Sequence, residues 1–80
     1  LAFLDADTRL ARVLLRLDRE SSAEGYVTIS QDEISRRTGV ARQTAAKTLG
    51  KWRRAGWIIT GRGKIVVLDH AALRRLADKL

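Results

Sequence analysis

The stretch ISQDEISRRTGVARQTAAKTLGKWRRAG, from Ile29 to Gly56, decides the fold. Ser30 stands three residues before Glu33, the spacing of a capping box in which each side chain satisfies an orphan backbone N–H of the other residue. A helix therefore starts at Ser30 and runs to about Thr38, where Gly39 can take the positive φ that ends a helix at little steric cost. Val40 follows as an apolar plug turned inward. A second helix runs from Arg42 to about Ala55 and is stopped by Gly56. On it Ala45, Leu49 and Trp52 recur at i, i+4 and i+7 as the inward stripe, while Gln43, Lys47, Gly50 and Arg54 fall on the opposite side. Two helices joined by a turn of three or four residues make a helix-turn-helix. Gly50 lowers helix propensity by about 1 kcal/mol relative to alanine, so it marks either the close approach of another surface or a tolerated residue.

Outward from this pair the elements fall in order. Before it, Leu10, Val13, Leu14 and Leu17 recur at helical spacing between Asp7 and Arg19, with Arg9, Arg12, Arg16 and Arg19 on other faces. Ser21, Ser22 and Gly25 supply a turn, and Tyr26 to Ile29 a brief β-favouring run. After it, Trp57 to Thr60 and Lys64 to Leu68 read as two strands around the tight turn Gly61-Arg62-Gly63, a hairpin over about 57–68. Asp69 caps a last short helix whose Leu73, Leu76, Ala77 and Leu80 face the core. The expected architecture is α+β: a winged helix-turn-helix with a small three-helix core, a β-hairpin wing and a short C-terminal helix.

An 80-residue chain supports one core, so residues 1–80 are read as one domain. The chain begins at Leu1 and contains no methionine, and a piece of a longer protein is expected. Its net charge of +7 is unevenly placed. Residues 1–35 hold four basic and seven acidic groups, whereas residues 36–64 hold Arg36, Arg37, Arg42, Lys47, Lys51, Arg53, Arg54, Arg62 and Lys64 with no Asp or Glu. A surface that merely keeps a domain soluble mixes signs; a one-sign stretch creates a field that attracts a polyanion. Nucleic acid is the expected partner.

Other classes find little in the sequence. Cysteine is absent, no apolar run is long enough to span a bilayer, and no secretory pattern opens the chain, so the cytoplasm is the expected compartment and no membrane partner is expected. His70 is the single histidine, one residue after a helix-capping aspartate, and reads as a solvent-facing helix residue. With no phosphate loop or spaced metal-ligand set, neither enzyme activity nor a cofactor or metal in this domain is expected. A winged helix used for protein or RNA binding is the alternative, since one fold serves several partners, but it favours an apolar or acidic outer face on the helix from Arg42.

Four segments together resemble one family: LAFLDADTRLARVLLRL (Leu1–Leu17), ISQDEISRRTGV (Ile29–Val40), ARQTAAKTLGKWRRAGWI (Ala41–Ile58) and GRGKIVVLDHAAL (Gly61–Leu73). At their centre, Gly39, Arg42 and Thr44 form a Gly-x-x-Arg-x-Thr tract, followed by Leu49 and the Gly-x-Ile of Gly56 and Ile58. The chain resembles the C-terminal domain of the cyclic-AMP receptor protein and fumarate-nitrate regulator family of bacterial transcription regulators. The resemblance implies double-stranded DNA as partner, with the helix at about 42–54 in the major groove and the wing on the backbone. It further implies a preceding effector domain, its effector unidentified, and a dimerisation helix, so that a homodimer meets a two-fold symmetric operator. It leaves room for RNA polymerase as a further partner.

In the family the recognition helix usually opens Ser-Arg-Glu-Thr, where this chain has Ala41, Arg42, Gln43 and Thr44. Arg42 keeps the guanine reader, able to bond O6 and N7 together. Gln43 replaces a carboxylate that accepts from cytosine N4, and favours adenine N6 and N7 or a more permissive bond. Ala41 loses a hydroxyl that could cap the helix or touch a phosphate, and the missing cap is worth about 1 kcal/mol. Lys47 is expected at a base, a guanine, with a phosphate alone as the alternative, and Thr44 at a phosphate or a thymine methyl. Arg36, Arg37, Lys51, Arg53, Arg54, Arg62 and Lys64 are the expected phosphate contacts, giving steeply salt-dependent affinity.

Overall fold

The computed structural model describes residues 5–79. Helix α1 (Ala6–Glu20) begins where the Asp5 carboxylate accepts the Thr8 backbone N–H at 2.8 Å. That backbone bond, with the Thr8 hydroxyl next, holds the Asp5 carboxyl below its usual range. Strand β1 (Val27–Thr28) follows, then α2 (Gln31–Thr38) and α3 (Arg42–Arg54). The hairpin is β2 (Ile58–Gly61) and β3 (Lys64–Val67), and α4 (His70–Ala77) closes the order. The winged helix-turn-helix read from the sequence is the observed fold, with β1 shorter than the β-favouring run around it. Two expected segments fall partly outside the described residues, Leu1 to Leu4 before α1 and Leu80 after α4.

The sheet runs β1-β3-β2, antiparallel throughout. Its register pairs Val27 with Ile65 and Ile58 with Val67, so that alternation sends all four inward. The Ile29 N–H extends this edge, donating to the Gly63 carbonyl at 2.9 Å and tying the wing's turn to the entrance of α2. Against this sheet and the helices lies Trp52, wholly buried with Leu10, Leu14, Ile34 and Leu73. Its indole N–H has no hydrogen-bond partner among the described residues. An unsatisfied donor costs about 1–3 kcal/mol, while burying a tryptophan's roughly 200 Å² at about 25 cal/mol per Å² contributes about 5 kcal/mol, so burial wins.

Helices α1 and α4 are joined at both ends. Arg12 of α1 donates from Nε to the Ala77 carbonyl at 2.6 Å and from Nη2 to the Lys79 carbonyl at 3.1 Å, satisfying acceptors that the end of α4 leaves open. At the other end His70 Nε2 lies 2.8 Å from Asp18 Oδ2. His70 is thus exposed, as read from the sequence, and also joins two helices.

Candidate nucleic-acid interface

The geometry of α3 is set at its two ends. At the start, Gly39 takes φ 72° and closes α2, and the turn is held by α2's own side chains. Thr38 Oγ1 accepts the Val40 N–H at 3.2 Å and donates to the Ile34 carbonyl at 2.7 Å, while Ser35 Oγ donates to the Val40 carbonyl. The buried plug at Val40 therefore has both backbone groups satisfied, as a buried turn requires. Ser30 accepts the Glu33 N–H at 3.1 Å, but the Glu33 carboxylate turns to Arg37. Half of the expected capping box is formed. Ala41 gives α3 no side-chain cap, in keeping with the lost hydroxyl.

At its other end α3 finishes in a Schellman motif. Gly56, at φ 81°, donates to the Arg53 carbonyl at 3.1 Å, and Trp57 donates to the Trp52 carbonyl at 2.9 Å. The Trp57 carbonyl then accepts the Leu68 and Asp69 N–H groups, closing the root of the hairpin. One compact joint sets both the end of α3 and the direction of the wing.

Between these joints α3 buries Ala45, Thr48, Leu49 and Trp52. Thr48 was not part of the apolar stripe; its hydroxyl donates to Asp7 Oδ1 of α1 at 3.4 Å, a link that only the tertiary fold creates. The opposite face exposes Arg42, Gln43, Thr44, Ala46 and Lys47 together, so the expected base readers share one surface. Gln31 of α2 joins Arg42, Gln43 and Ala46 around a shallow hollow, a neighbour for which linear spacing carries no signal. Gly50 is half-buried because the Arg54 guanidinium folds back over it, with Nη1 3.4 Å from where a Cβ would stand. The surface that approaches Gly50 belongs to its own helix.

The cations around this face are in different states. Arg37 gives Glu33 Oε2 both Nε, at 3.1 Å, and Nη2, at 2.9 Å. Lys51 is turned toward α1, where its Nζ meets Asp7 Oδ2 at 3.2 Å. Arg53 reaches Thr60 of β2 at 3.4 Å, and Lys64 sits 4.6 Å over the ring of Tyr26. Arg42 Nε lies 2.6 Å from Asp32 Oδ1. Among the described residues, Arg36, Lys47, Arg54 and Arg62 make no ion pair. Arg62 stands exposed at the hairpin tip, where Gly63 at φ 64° supplies the left-handed turn residue. Exposed pairs of this kind are worth about 0–1 kcal/mol, so a polyanion can compete for every one of these cations.

A helix-turn-helix with an uncovered, basic α3 and a cationic hairpin beside it defines a winged helix-turn-helix domain. Residues 8–76 match the Crp-like helix-turn-helix domain family, and the chain belongs to that family. It is 37% identical over 75 residues to the transcriptional regulator SdrP of Thermus thermophilus, covering 88% of this chain and 37% of that protein. It is 42% identical over 74 residues to the transcriptional regulator LdrP of the same organism, covering 86% of this chain and 38% of that protein. The chain therefore spans well under half the length of these relatives. Among solved structures, a CRP/FNR-family transcriptional regulator from T. thermophilus superposes with a TM-score of 0.81 at 30% identity, over 94% of this chain and 41% of that one. FixK2 from Bradyrhizobium japonicum shares the fold, with a TM-score of 0.83 at 24% identity over 95% of this chain and 40% of that one.

Proposed function

We propose that this chain binds double-stranded DNA sequence-specifically, as the DNA-binding domain of a longer bacterial transcription regulator. The observation that carries the reading is the outer face of α3, where Arg42, Gln43, Thr44 and Lys47 are exposed side by side over the low relief of Ala46. An α-helix fits the major groove, where each base pair has its own donor and acceptor pattern. Arg42, Gln43 and Lys47 read base edges, and Thr44 meets a phosphate or a thymine methyl. Arg36, Arg53, Arg54, Arg62 and Lys64 meet phosphates, with Arg37 and Lys51 joining them on release from Glu33 and Asp7. These contacts position the domain and make affinity fall with salt. In the longer protein an effector domain and a dimerisation helix precede this domain. A homodimer then sets two copies of α3 on a two-fold symmetric operator, in the cytoplasm, within reach of RNA polymerase.

Fluorescence anisotropy with duplex DNA, single-stranded DNA and single-stranded RNA across a salt series tests the reading. Steeply salt-dependent binding confined to duplex DNA, weak because a single copy meets one half-site, supports it, and preference for RNA overturns it. Replacing Arg42 with alanine is expected to weaken binding to the selected site by about 1–3 kcal/mol and to relax preference at one base pair, whereas Lys64→Ala weakens all sequences alike.

A further inference from the structure

The contact between Arg42 and Asp32 joins the two helices of the helix-turn-helix across their exposed side. Asp32 Oδ1 lies 2.6 Å from Arg42 Nε, and the two side chains are 52% and 71% exposed. Asp32 sits in the first turn of α2, where the helix dipole favours a negative charge. Two features separate this pair from an ordinary surface ion pair. It engages the one arginine at the exposed start of α3, beside Gln43 and the hollow lined by Gln31 and Ala46. Its closest approach to the guanidinium is at Nε, on the side away from the Nη1–Nη2 edge. Arg42 thus keeps its Nη1–Nη2 edge for a second, planar acceptor pair.

The geometry points to Asp32 as a positioning residue for base recognition: its carboxylate, held against Arg42 Nε, fixes the guanidinium so that the Nη1–Nη2 edge meets a guanine. This deepens the DNA-binding reading above and rests on it. An unrestrained arginine loses rotamer freedom when it binds, and one already oriented loses less. The same carboxylate repels phosphates. An Arg42 that slips from a base toward the backbone leaves Asp32 unpaired beside a polyanion, so the pair works against binding out of register as well as for binding in register.

The test compares the 80-residue chain with Asp32→Asn, Asp32→Glu, Arg42→Ala and the double variant Asp32→Asn/Arg42→Ala. Affinities are measured at one salt concentration for a half-site selected from random duplex, for its single-base-pair variants, and for random duplex. Asp32→Asn is expected to reduce discrimination about three- to tenfold at the one base pair governed by Arg42, the range from an exposed ion pair to part of a bidentate base contact. It should raise affinity for random duplex and lower the melting temperature by no more than the few degrees that an exposed first-turn carboxylate contributes. Asp32→Glu should restore part of the discrimination, and Asp32→Asn should have no effect on it once Arg42 is alanine. If discrimination falls with Arg42→Ala but not with Asp32→Asn, the positioning role is wrong while base reading by Arg42 stands. An Asp32→Asn effect that persists in the Arg42→Ala background, or falls at a different base pair, overturns the role too, because Asp32 then reads a base itself. If Arg42→Ala changes no base preference, the base-reading assignment fails and this one with it.

Discussion

The backbone N–H of Trp57 meets the carbonyl of Trp52 at 2.9 Å, and the two indole rings pack 6.4 Å apart at 35°. This bond and its ring contact are the 6→1 closure and apolar clasp of the joint that ends α3 and starts the wing. The joint needs a left-handed residue between them, and Gly56 supplies it at φ 81°. No atom stands within 4 Å of where a Cβ would go, so the cost of a side chain there lies in the backbone alone. Gly56→Ala is expected to destabilise by about 1–2 kcal/mol, lowering the melting temperature by roughly 4–16 °C in a domain of this size. Thermal unfolding checks it, and an unchanged midpoint would show that the joint relaxes without strain.

The turn before α3 depends on two hydroxyls. Thr38→Val keeps the shape but removes the acceptor for the buried Val40 N–H, and Ser35→Ala removes the donor to the Val40 carbonyl. Each should cost about 1–3 kcal/mol in urea unfolding. The double variant should lose less than the sum, because both bonds hold one residue. Strict additivity would count against a shared role.

Asp7 restrains Lys51 from the far side of α3. Asp7→Asn keeps an oxygen for the Thr48 hydroxyl and frees the lysine's charge. Affinity for random duplex should rise, because Lys51 no longer has to leave Asp7, while Lys51→Ala should make the slope of log K against log salt shallower by about 0.9 if Lys51 neutralises one phosphate. An unchanged slope removes Lys51 from the phosphate contacts.

Gln43 is exposed on the same surface as Arg42. Gln43→Glu replaces an amide that both donates and accepts with a carboxylate that only accepts. Selection from random duplex should shift one position toward cytosine, whose N4 donates, at about 1–3 kcal/mol of discrimination. Identical selected sites for both proteins would place Gln43 away from the bases.

The fold was legible because its punctuation is local. Gly39, Gly56 and Gly63 each take the left-handed conformation at a helix end or hairpin turn, and Ser30 and Asp69 each cap the helix that follows. The candidate surface was legible in part, since helical spacing alone puts Gln43 and Lys47 opposite Leu49 and Trp52. Partners distant in sequence were not. Thr48 and Lys51 meet Asp7, and Asp32 meets Arg42 only once the turn has brought α2 and α3 together. The missing half of the capping box has a different, local origin: Arg37, one turn along α2, competes for the Glu33 carboxylate and takes it.

The bonds from Arg12 to the end of α4 and from Asp18 to its start have a mechanical result. Two anchors spaced along one helix fix the register of α4 on α1 at both ends. Asp69, which caps α4, also donates to the Trp57 carbonyl at the root of the wing. The start and the end of α4 and the root of the hairpin are thus all tied, directly or through Asp69, into one chain of contacts with α1.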